Sequence, residues 1–129
     1  MPRAKIMIVD DELDLVRALT LRFKSAGYDV IQATDGVAAT QIAVRERPDV
    51  IVLDVGLPGG DGHTVADRLR RNVKSMSIPV VYLTARSSDA DRQRAATLGA
   101  AAYLTKPFKA EQLLEVVTRL VHGVATGIA

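Results

Sequence analysis

The fold of this chain is constrained most strongly by four short apolar runs, each followed within two residues by a polar side chain. The runs occupy residues 6–9, 50–53, 80–83 and 101–105, and a shorter strand is expected at residues 28–33. Between them, apolar residues recur at the three- and four-residue spacing of an α-helix. Five strand–helix units with short connections predict an α/β fold, in which a doubly wound, five-stranded parallel sheet carries helices on both faces.

Several residues mark where the helices begin and end. Gly27 and Gly99 are predicted to end the first and fourth helices, because glycine readily adopts the left-handed conformation found at helix C-termini. Asp35 is predicted to cap the second helix, which ends before Pro48. The third, fourth and fifth helices are expected at about residues 64–72, 89–98 and 110–122.

The polar side chains that follow the runs are the candidate functional residues. They are Asp10, Asp11, Asp54, Thr84 and Lys106. The carboxyl ends of parallel strands meet at one edge of the sheet, where open α/β sheets bind their ligands, so these side chains are expected to converge. Three crowded carboxylates repel one another unless a cation lies among them. Together with a hydroxyl and an ammonium group, they predict a site for a divalent metal and a phosphoryl group.

The composition of the 129-residue chain is that of one ordinary globular domain, with 48% hydrophobic and 25% charged residues. A net charge of +2 does not indicate a nucleic-acid partner. The absence of cysteine excludes disulfides and thiolate metal sites, and it is typical of a reducing cytoplasm, where we expect the protein to act. No apolar run has the length of a signal peptide or a membrane span, so no membrane association is expected.

Four motifs closely resemble those of the receiver domain of bacterial two-component response regulators. In chain order they are Asp10-Asp11-Glu12, the loop DVGLPGGDG at residues 54–62, Leu83-Thr84-Ala85 and Lys106-Pro107-Phe108. The resemblance covers residues 5–122, which would form the receiver domain, and leaves residues 123–129 as a tail or the start of a linker. It implies a flavodoxin-like strand order of 2-1-3-4-5.

The expected phosphorylation chemistry centres on Asp54. A carboxylate can attack a phosphoryl group to give an acyl phosphate, so Asp54 is the candidate nucleophile. Mg²⁺ is the expected cofactor, held by Asp11, Asp54 and a backbone carbonyl near Gly56. The resemblance implies that Asp10 contributes to the metal site mainly through a bound water.

Three further residues are expected to contact the phosphoryl group or to transmit its arrival. Lys106 should pair with one phosphoryl oxygen, and Thr84 should donate a hydrogen bond to another. The resemblance implies a cis peptide bond between Lys106 and Pro107. It also makes Thr84 and Tyr103 switch residues, because related receivers carry an aromatic side chain at the position of Tyr103 that turns inward on activation.

These roles predict a phospho-accepting signalling switch that catalyses only its own phosphorylation and dephosphorylation. The expected phosphodonor is a sensor histidine kinase or a histidine phosphotransfer protein. One alternative is a Mg²⁺-dependent phosphatase of the haloacid dehalogenase type, but such an enzyme needs a second aspartate where this chain has Gly56. A nucleotide-binding module is a weaker alternative, because both glycine-rich nucleotide motifs are absent and Asp61 would repel a phosphate.

The last helix predicts a surface for a partner. Its apolar stripe is wider than one core face requires and consists of Leu113, Leu114, Val116, Val117, Leu120 and Val121. We therefore expect a homodimer or an output partner to bind across helix 4, strand 5 and helix 5. The basic residues of the third and fourth helices are typical of solvated faces, so direct nucleic-acid binding by this chain is not expected.

The remaining assignments are mostly structural. His63 and His122 are predicted to be surface residues outside the site. Pro58 and the Asp61-Gly62 pair are predicted to form a turn and the start of a helix. Arg86, together with Gly56, is expected to influence the lifetime of the phosphoryl group.

Overall fold

Strands and helices alternate from Lys5 to Val121, as predicted. The structure is a computed structural model that describes residues 3–56, 62–85 and 88–123. Its strands are β1 (Lys5–Val9), β2 (Asp29–Ala33), β3 (Val50–Leu53), β4 (Val80–Thr84) and β5 (Ala102–Thr105). Its helices are α1 (Leu13–Ser25), α2 (Gly36–Glu46), α3 (Gly62–Arg71), α4 (Asp89–Thr97) and α5 (Ala110–Val121). These elements lie within the expected domain limits of residues 5–122, and the limits themselves remain a prediction.

The five strands form one parallel sheet in the order β2-β1-β3-β4-β5, which confirms the predicted fold class. The central strand β1 pairs with β2 on one side and with β3 on the other. Val9, its last residue, lies opposite Ala33 of β2 and Leu53 of β3. The strands β1 and β3 therefore end level with each other at one edge of the sheet.

Side chains of β1 alternate between two hydrophobic layers, as the two-residue period of a strand requires. Ile6 and Ile8 belong to the layer covered by α1 and α5, while Met7 and Val9 belong to the layer covered by α2, α3 and α4. All four side chains are essentially inaccessible to solvent. Burial on both faces explains why the central strands are continuous apolar runs rather than alternating ones.

Hydrogen bonds at the helix ends explain the element boundaries. The carboxylate of Asp35 accepts from the backbone N–H of Ala38 at 2.9 Å, which confirms the predicted cap of α2. Gly27 follows α1 with a φ of +95°, as expected for the residue that ends it. Strand β2 begins one residue later than predicted because the N–H of Tyr28 donates to Phe23 and closes α1. Helix α3 begins at Gly62, two residues before the predicted start.

The two helices nearest β5 differ in how firmly they are anchored. In α4 the single buried residue is Ala95. In α5, Leu113 and Val117 are buried, and Leu114, Val116, Leu120 and Val121 are partly buried against the same layer. The wide apolar stripe of α5 thus leaves some hydrophobic surface accessible. Over the described parts of the chain, no helix combines the length and the hydropathy needed to cross a bilayer.

Candidate functional site

The carboxyl ends of β1 and β3 bring three acidic side chains together. Asp10 and Asp11 follow β1, and Asp54 follows β3, its neighbour in the sheet. One carboxylate oxygen from each lies within 4.8 Å of the others. Asp10 and Asp54 are buried and Asp11 is exposed, so the cluster opens to solvent on the Asp11 side. The predicted convergence of these three residues is confirmed.

Backbone hydrogen bonds hold the two buried carboxylates in place. The N–H of Asp54 donates to the carbonyl of Val9 at 2.9 Å, which ties the start of the loop to β1. Asp54 Oδ1 accepts from the N–H of Gly56 at 3.0 Å, and Asp10 Oδ1 accepts from the N–H of Glu12 at 2.9 Å. Each carboxylate thus has one oxygen held by its own loop and a second oxygen, Oδ2, that faces the other elements of the site.

Lys106 is the cation that faces these oxygens. Its Nζ lies 2.9 Å from Asp10 Oδ2, 3.1 Å from Glu12 Oε1 and 3.4 Å from Asp54 Oδ2. The predicted position of Lys106 at the acidic edge is confirmed. Its contact with Glu12 was not foreseen, since the sequence indicated Glu12 only as the third residue of the Asp10-Asp11-Glu12 motif. The one signal for it was the adjacency of Glu12 to the two aspartates.

The electrostatics of the site reflect the competition between burial and pairing. Burial raises the pKa of Asp10 above its usual range, even though hydrogen bonds from Lys106 and from the Glu12 backbone act in the opposite direction. Burial by itself would lower the pKa of Lys106, but hydrogen bonds to Asp10 and Glu12, with the nearby charge of Asp54, together raise it. Lys106 is therefore held as a cation, and Asp10 carries its negative charge at a cost in solvation.

Thr84 and Lys106 meet through their backbones at the ends of β4 and β5. Thr84 is 1% exposed, and its carbonyl accepts from the N–H of Lys106 at 2.8 Å. The Lys106–Pro107 peptide bond is cis, as the resemblance implied. The hydroxyl of Thr84 and the ammonium of Lys106 thus belong to adjacent strands at the same edge.

Helix α3 begins in direct contact with the loop that carries Asp54. The N–H of Gly62 donates to the carbonyl of Val55 at 2.9 Å. A Cβ at position 62 would overlap the Cα of Val55 and would lie 2.6 Å from the carbonyl oxygen of Asp54, so the close approach requires glycine. Leu57, Pro58 and Asp61, and also Arg86, lie outside the described residues. The turn and lifetime roles expected of Pro58, Asp61 and Arg86 therefore stay predictions.

The prediction that His63 is a surface residue is wrong. Its side chain is fully buried, its Nε2 lies 3.2 Å from Asp91 Oδ1, and its ring is 5.5 Å from that of Tyr82. The histidine occupies the first turn of α3, on the side that packs on the sheet. Burial of its polar ring is compensated by the carboxylate of Asp91, which reaches it from α4. His122 is exposed, as predicted.

Tyr103 is half-buried and belongs to a group of aromatic contacts on the β4–β5 side of the sheet. Its ring stacks on that of Tyr82, with centroids 5.6 Å apart. The guanidinium of Arg92 lies 4.8 Å from the centroid of the Tyr103 ring and also donates to the hydroxyl of Thr105 at 2.8 Å. The side chain expected to switch is thus held between a strand neighbour and α4.

A cavity of about 550 Å³ lies beside the acidic cluster, between α1 and the connection from β5 to α5. Its lining includes Leu15 and Leu19 of α1 and Phe108 of the connection, together with Glu12 and Lys106 from the site itself. A mostly apolar depression therefore adjoins the charged centre.

The sequence and the fold are similar to those of known proteins. Residues 6–118 match the family model of the response regulator receiver domain. The chain is 43% identical over 122 residues to the DNA-binding dual master transcriptional regulator RpaA of Synechocystis, an alignment that covers 95% of this chain and 50% of that protein. The chain spans about half the length of the curated relatives it matches.

Solved structures of receiver domains match the whole fold. The chemotaxis protein CheY4 of Vibrio cholerae superposes with a TM-score of 0.86 at 32% identity, over 92% of this chain and 99% of that one. The receiver domain of a sensor histidine kinase from Pseudomonas aeruginosa, which has a magnesium ion coordinated in its active-site cleft, superposes with a TM-score of 0.82 at 30% identity, over 94% and 99%. The acidic edge of the sheet and these matches lead to one conclusion: the chain belongs to the response regulator receiver domain family, whose members act as phospho-accepting switches.

Proposed function

We propose that Asp54 is the phosphoryl acceptor of this receiver domain and that Asp10, Asp11 and Asp54 form its Mg²⁺ site. The observation that carries the proposal is the cluster itself, in which three carboxylate oxygens lie within 4.8 Å of one another and Lys106 Nζ lies 3.4 Å from Asp54. Of the three, Asp54 is the one on the strand between the Asp10–Asp11 pair and Thr84. It can therefore be reached by groups from both sides.

The donor set fits a hard divalent cation. All three side chains offer carboxylate oxygens, and the exposed position of Asp11 leaves room for bound water, which Mg²⁺ tends to keep. A backbone carbonyl near Gly56 is proposed as a further ligand. When bound, Mg²⁺ would neutralise charge on the phosphoryl oxygens. Without a cation, Lys106 is the group that offsets the repulsion between Asp10 and Asp54.

The chain's own residues then act on an incoming phosphodonor as follows. One oxygen of Asp54 attacks the phosphorus, the bond from phosphorus to the donor's leaving group breaks, and the leaving group departs with the electron pair. Lys106 exchanges its contact with Asp54 for one phosphoryl oxygen, and Thr84 donates to another. Those contacts draw β4 and β5 towards the new charge, which is the proposed origin of switching through Thr84 and Tyr103.

The comparisons support a phospho-accepting domain and give no support to a phosphatase of the haloacid dehalogenase type. We propose a sensor histidine kinase or a histidine phosphotransfer protein as the phosphodonor, and the apolar depression beside α1 is a suitable place for it to dock. The Synechocystis relative is a DNA-binding regulator about twice as long, so we also propose an output that lies outside this chain.

The acceptor assignment is tested with acetyl phosphate and Mg²⁺, followed by intact-protein mass spectrometry. The protein should gain one phosphoryl group, and hydroxylamine should remove it, because an acyl phosphate is attacked by that reagent. Asp54→Asn should not be modified. Asp67→Asn, which alters a partly exposed carboxylate of α3, is the matched control and should react like the parent. Equal modification of Asp54→Asn and the parent would refute the assignment.

A further inference from the structure

His63 is a fully buried polar residue that plays no part in the chemistry proposed above. Its Nε2 lies 3.2 Å from Asp91 Oδ1, and Asp91 is itself largely shielded, with 15% of its side chain exposed. Because a carboxylate only accepts hydrogen bonds, the histidine nitrogen is the donor of this contact. The bond joins the first turn of α3 to the first turn of α4.

The backbone just before His63 is in contact with the phosphoryl-acceptor loop. Gly62 is hydrogen-bonded to Val55 and packs so closely against Asp54 and Val55 that no Cβ fits between them. A shift of the Asp54–Val55 backbone is therefore transmitted to Gly62, and His63 is the next residue along the chain.

Helix α4 depends on polar contacts for its position, since Ala95 is its one buried residue. Its N-terminus is closed by Ser88, whose Oγ accepts from the N–H of Asp91 and donates to Asp91 Oδ2 at 2.7 Å. The other oxygen of Asp91 is the one that binds His63. A helix with so little apolar burial is among the elements that open most easily, so a single charged hydrogen bond contributes a large share of its anchoring.

The ring of His63 also contacts the aromatic residues on the β4–β5 side of the sheet. Its ring lies against Tyr82, which stacks on Tyr103, and Arg92 of α4 lies over Tyr103. His63 thus touches α4 directly through Asp91 and indirectly through Tyr82, Tyr103 and Arg92. These two routes meet at the helix whose position an output partner would sense.

We propose that His63 is a positioning residue of the switch: it latches the N-terminus of α4 to the N-terminus of α3, beside the acceptor loop, and sets the resting position of α4. The proposal rests on the proposed function, because it assigns the latch to the path that leads from Asp54 to α4. Rearrangement of the loop on phosphorylation moves Gly62 and His63 together, and the pull on Asp91 moves α4.

The latch is tested by hydrogen–deuterium exchange of the α4 amides in the unphosphorylated protein. His63→Phe keeps an aromatic ring against Tyr82 but removes the donor to Asp91. It should speed exchange in α4 roughly tenfold, the expected effect of losing a hydrogen bond to a charged group, and leave α1 and α2 unchanged. His63→Gln, which keeps a side-chain N–H, should restore much of the protection. Asp67→Ala, which removes the partly exposed Asp67–Arg71 pair within α3, is the control and should have no effect.

A second variant tests the same contact from its more accessible side. Asp91→Ala should also speed exchange in α4. The double variant should exchange no faster in α4 than the more affected single variant, because both substitutions remove the same contact between His63 and Asp91. Ser88→Ala removes both hydrogen bonds between Ser88 and Asp91 but leaves His63 in place, so its effect on α4 exchange should add to that of His63→Phe. Exchange in α4 that changes by less than about twofold in His63→Phe, or that rises equally in every helix, would overturn the proposal.

Phosphorylation by acetyl phosphate separates this proposal from the acceptor assignment. His63→Phe should accept one phosphoryl group like the parent, yet show a smaller further change of α4 exchange with beryllofluoride, since the latch is already released. If the parent itself is not phosphorylated at Asp54, the acceptor assignment fails, while the exchange measured in the unphosphorylated protein still decides whether the latch exists. A full beryllofluoride response in His63→Phe would contradict the proposed role in switching.

Discussion

The ammonium of Lys106 lies 0.5 Å closer to the carboxylate of Asp10 than to that of Asp54, at 2.9 Å and 3.4 Å. In the resting protein Lys106 is therefore primarily a counter-ion for a buried carboxylate, and it contacts the acceptor only at longer range. Its second partner, Glu12, is 60% exposed and contributes little to anchoring it. The lysine is positioned to change partners once negative charge accumulates on Asp54.

Lys106→Ala and Thr84→Ala should therefore impair switching more than phosphoryl acceptance. Both variants should still be phosphorylated slowly by acetyl phosphate, because the nucleophile and the carboxylate cluster remain. NMR chemical-shift changes at Tyr103 and α4 on phosphorylation should be clearly smaller than in the parent, since the groups that pull β4 and β5 towards the phosphoryl group are missing. Shifts as large as those of the parent in both variants would contradict this role.

Asp11→Asn should weaken Mg²⁺ binding by at least about tenfold, because a metal with few protein ligands loses a large part of its binding energy with one of them. Isothermal titration of the metal measures this directly. In metal-free buffer the same variant should be slightly more stable than the parent, since one of three mutually repelling charges is gone. Asp14→Asn, in the first turn of α1, is the matched control. Unchanged metal affinity in Asp11→Asn would argue against the proposed metal site.

Asp10 should make the stability of the metal-free protein depend on pH. Burial raises the pKa of Asp10, so its contribution to stability is present below the usual value of 3.8 and is lost as pH rises through the folded-state pKa. The raised pKa of Lys106 has no influence in this range, because that contribution is lost only at alkaline pH. Asp10→Asn should thus stabilise the protein at neutral pH.

Urea denaturation in the presence of a chelator, at neutral pH and near the usual aspartate pKa, measures the effect of Asp10→Asn. The gain in unfolding free energy should shrink at the lower pH, where the parent carboxyl is itself protonated. In saturating Mg²⁺ the gain should shrink or reverse, because the parent carboxylate then faces a cation. A gain that is independent of pH would show that the ionisation of Asp10 is not its cause.

Gly62→Ala should be strongly destabilising, by about 2 kcal/mol or more, because the added methyl group would overlap backbone atoms that cannot move independently of Asp54. Gly27→Ala is the control. It adds the same methyl group at a φ of +95°, but no atom beyond the adjacent residues would lie within 4 Å of that group, so it should cost only about 1 kcal/mol of conformational strain. Chemical denaturation of both variants compares the two effects. Equal losses would show that the close approach at Gly62 is unimportant.

Phosphorylation should strengthen an association through α4, β5 and α5, with a second copy or with an output partner. The motivation is the hydrophobic surface that Leu114, Val116 and Leu120 leave accessible beside the Tyr103–Arg92 contact. Sedimentation with and without beryllofluoride, combined with amide exchange on this face, measures the response. A monomer whose exchange on this face is unaffected by beryllofluoride would exclude this surface, and α1 would become the next candidate.

The secondary-structure elements and the acidic edge of the sheet were predictable from the order of the amino acids alone. Residues 6–9 and 50–53 are apolar without alternation because both faces of the central strands are covered, and that pattern is visible without a structure. Asp10, Asp11 and Asp54 then had to converge, because parallel strands end at a common edge. Local signals such as Asp35 and Gly27 also gave correct helix ends, since their effect depends only on neighbouring backbone groups.

The partners of the polar side chains, in contrast, became apparent only in the folded protein. Lys106 pairs with Glu12 across 94 positions of sequence, and His63 reaches Asp91 across 28, distances over which no local pattern carries information. His63 is buried because it lies on the face of α3 that packs on the sheet, together with Val65, Ala66 and Leu69. Packing between elements therefore determines the environment of His63 and the few contacts that hold α4 against the rest of the domain.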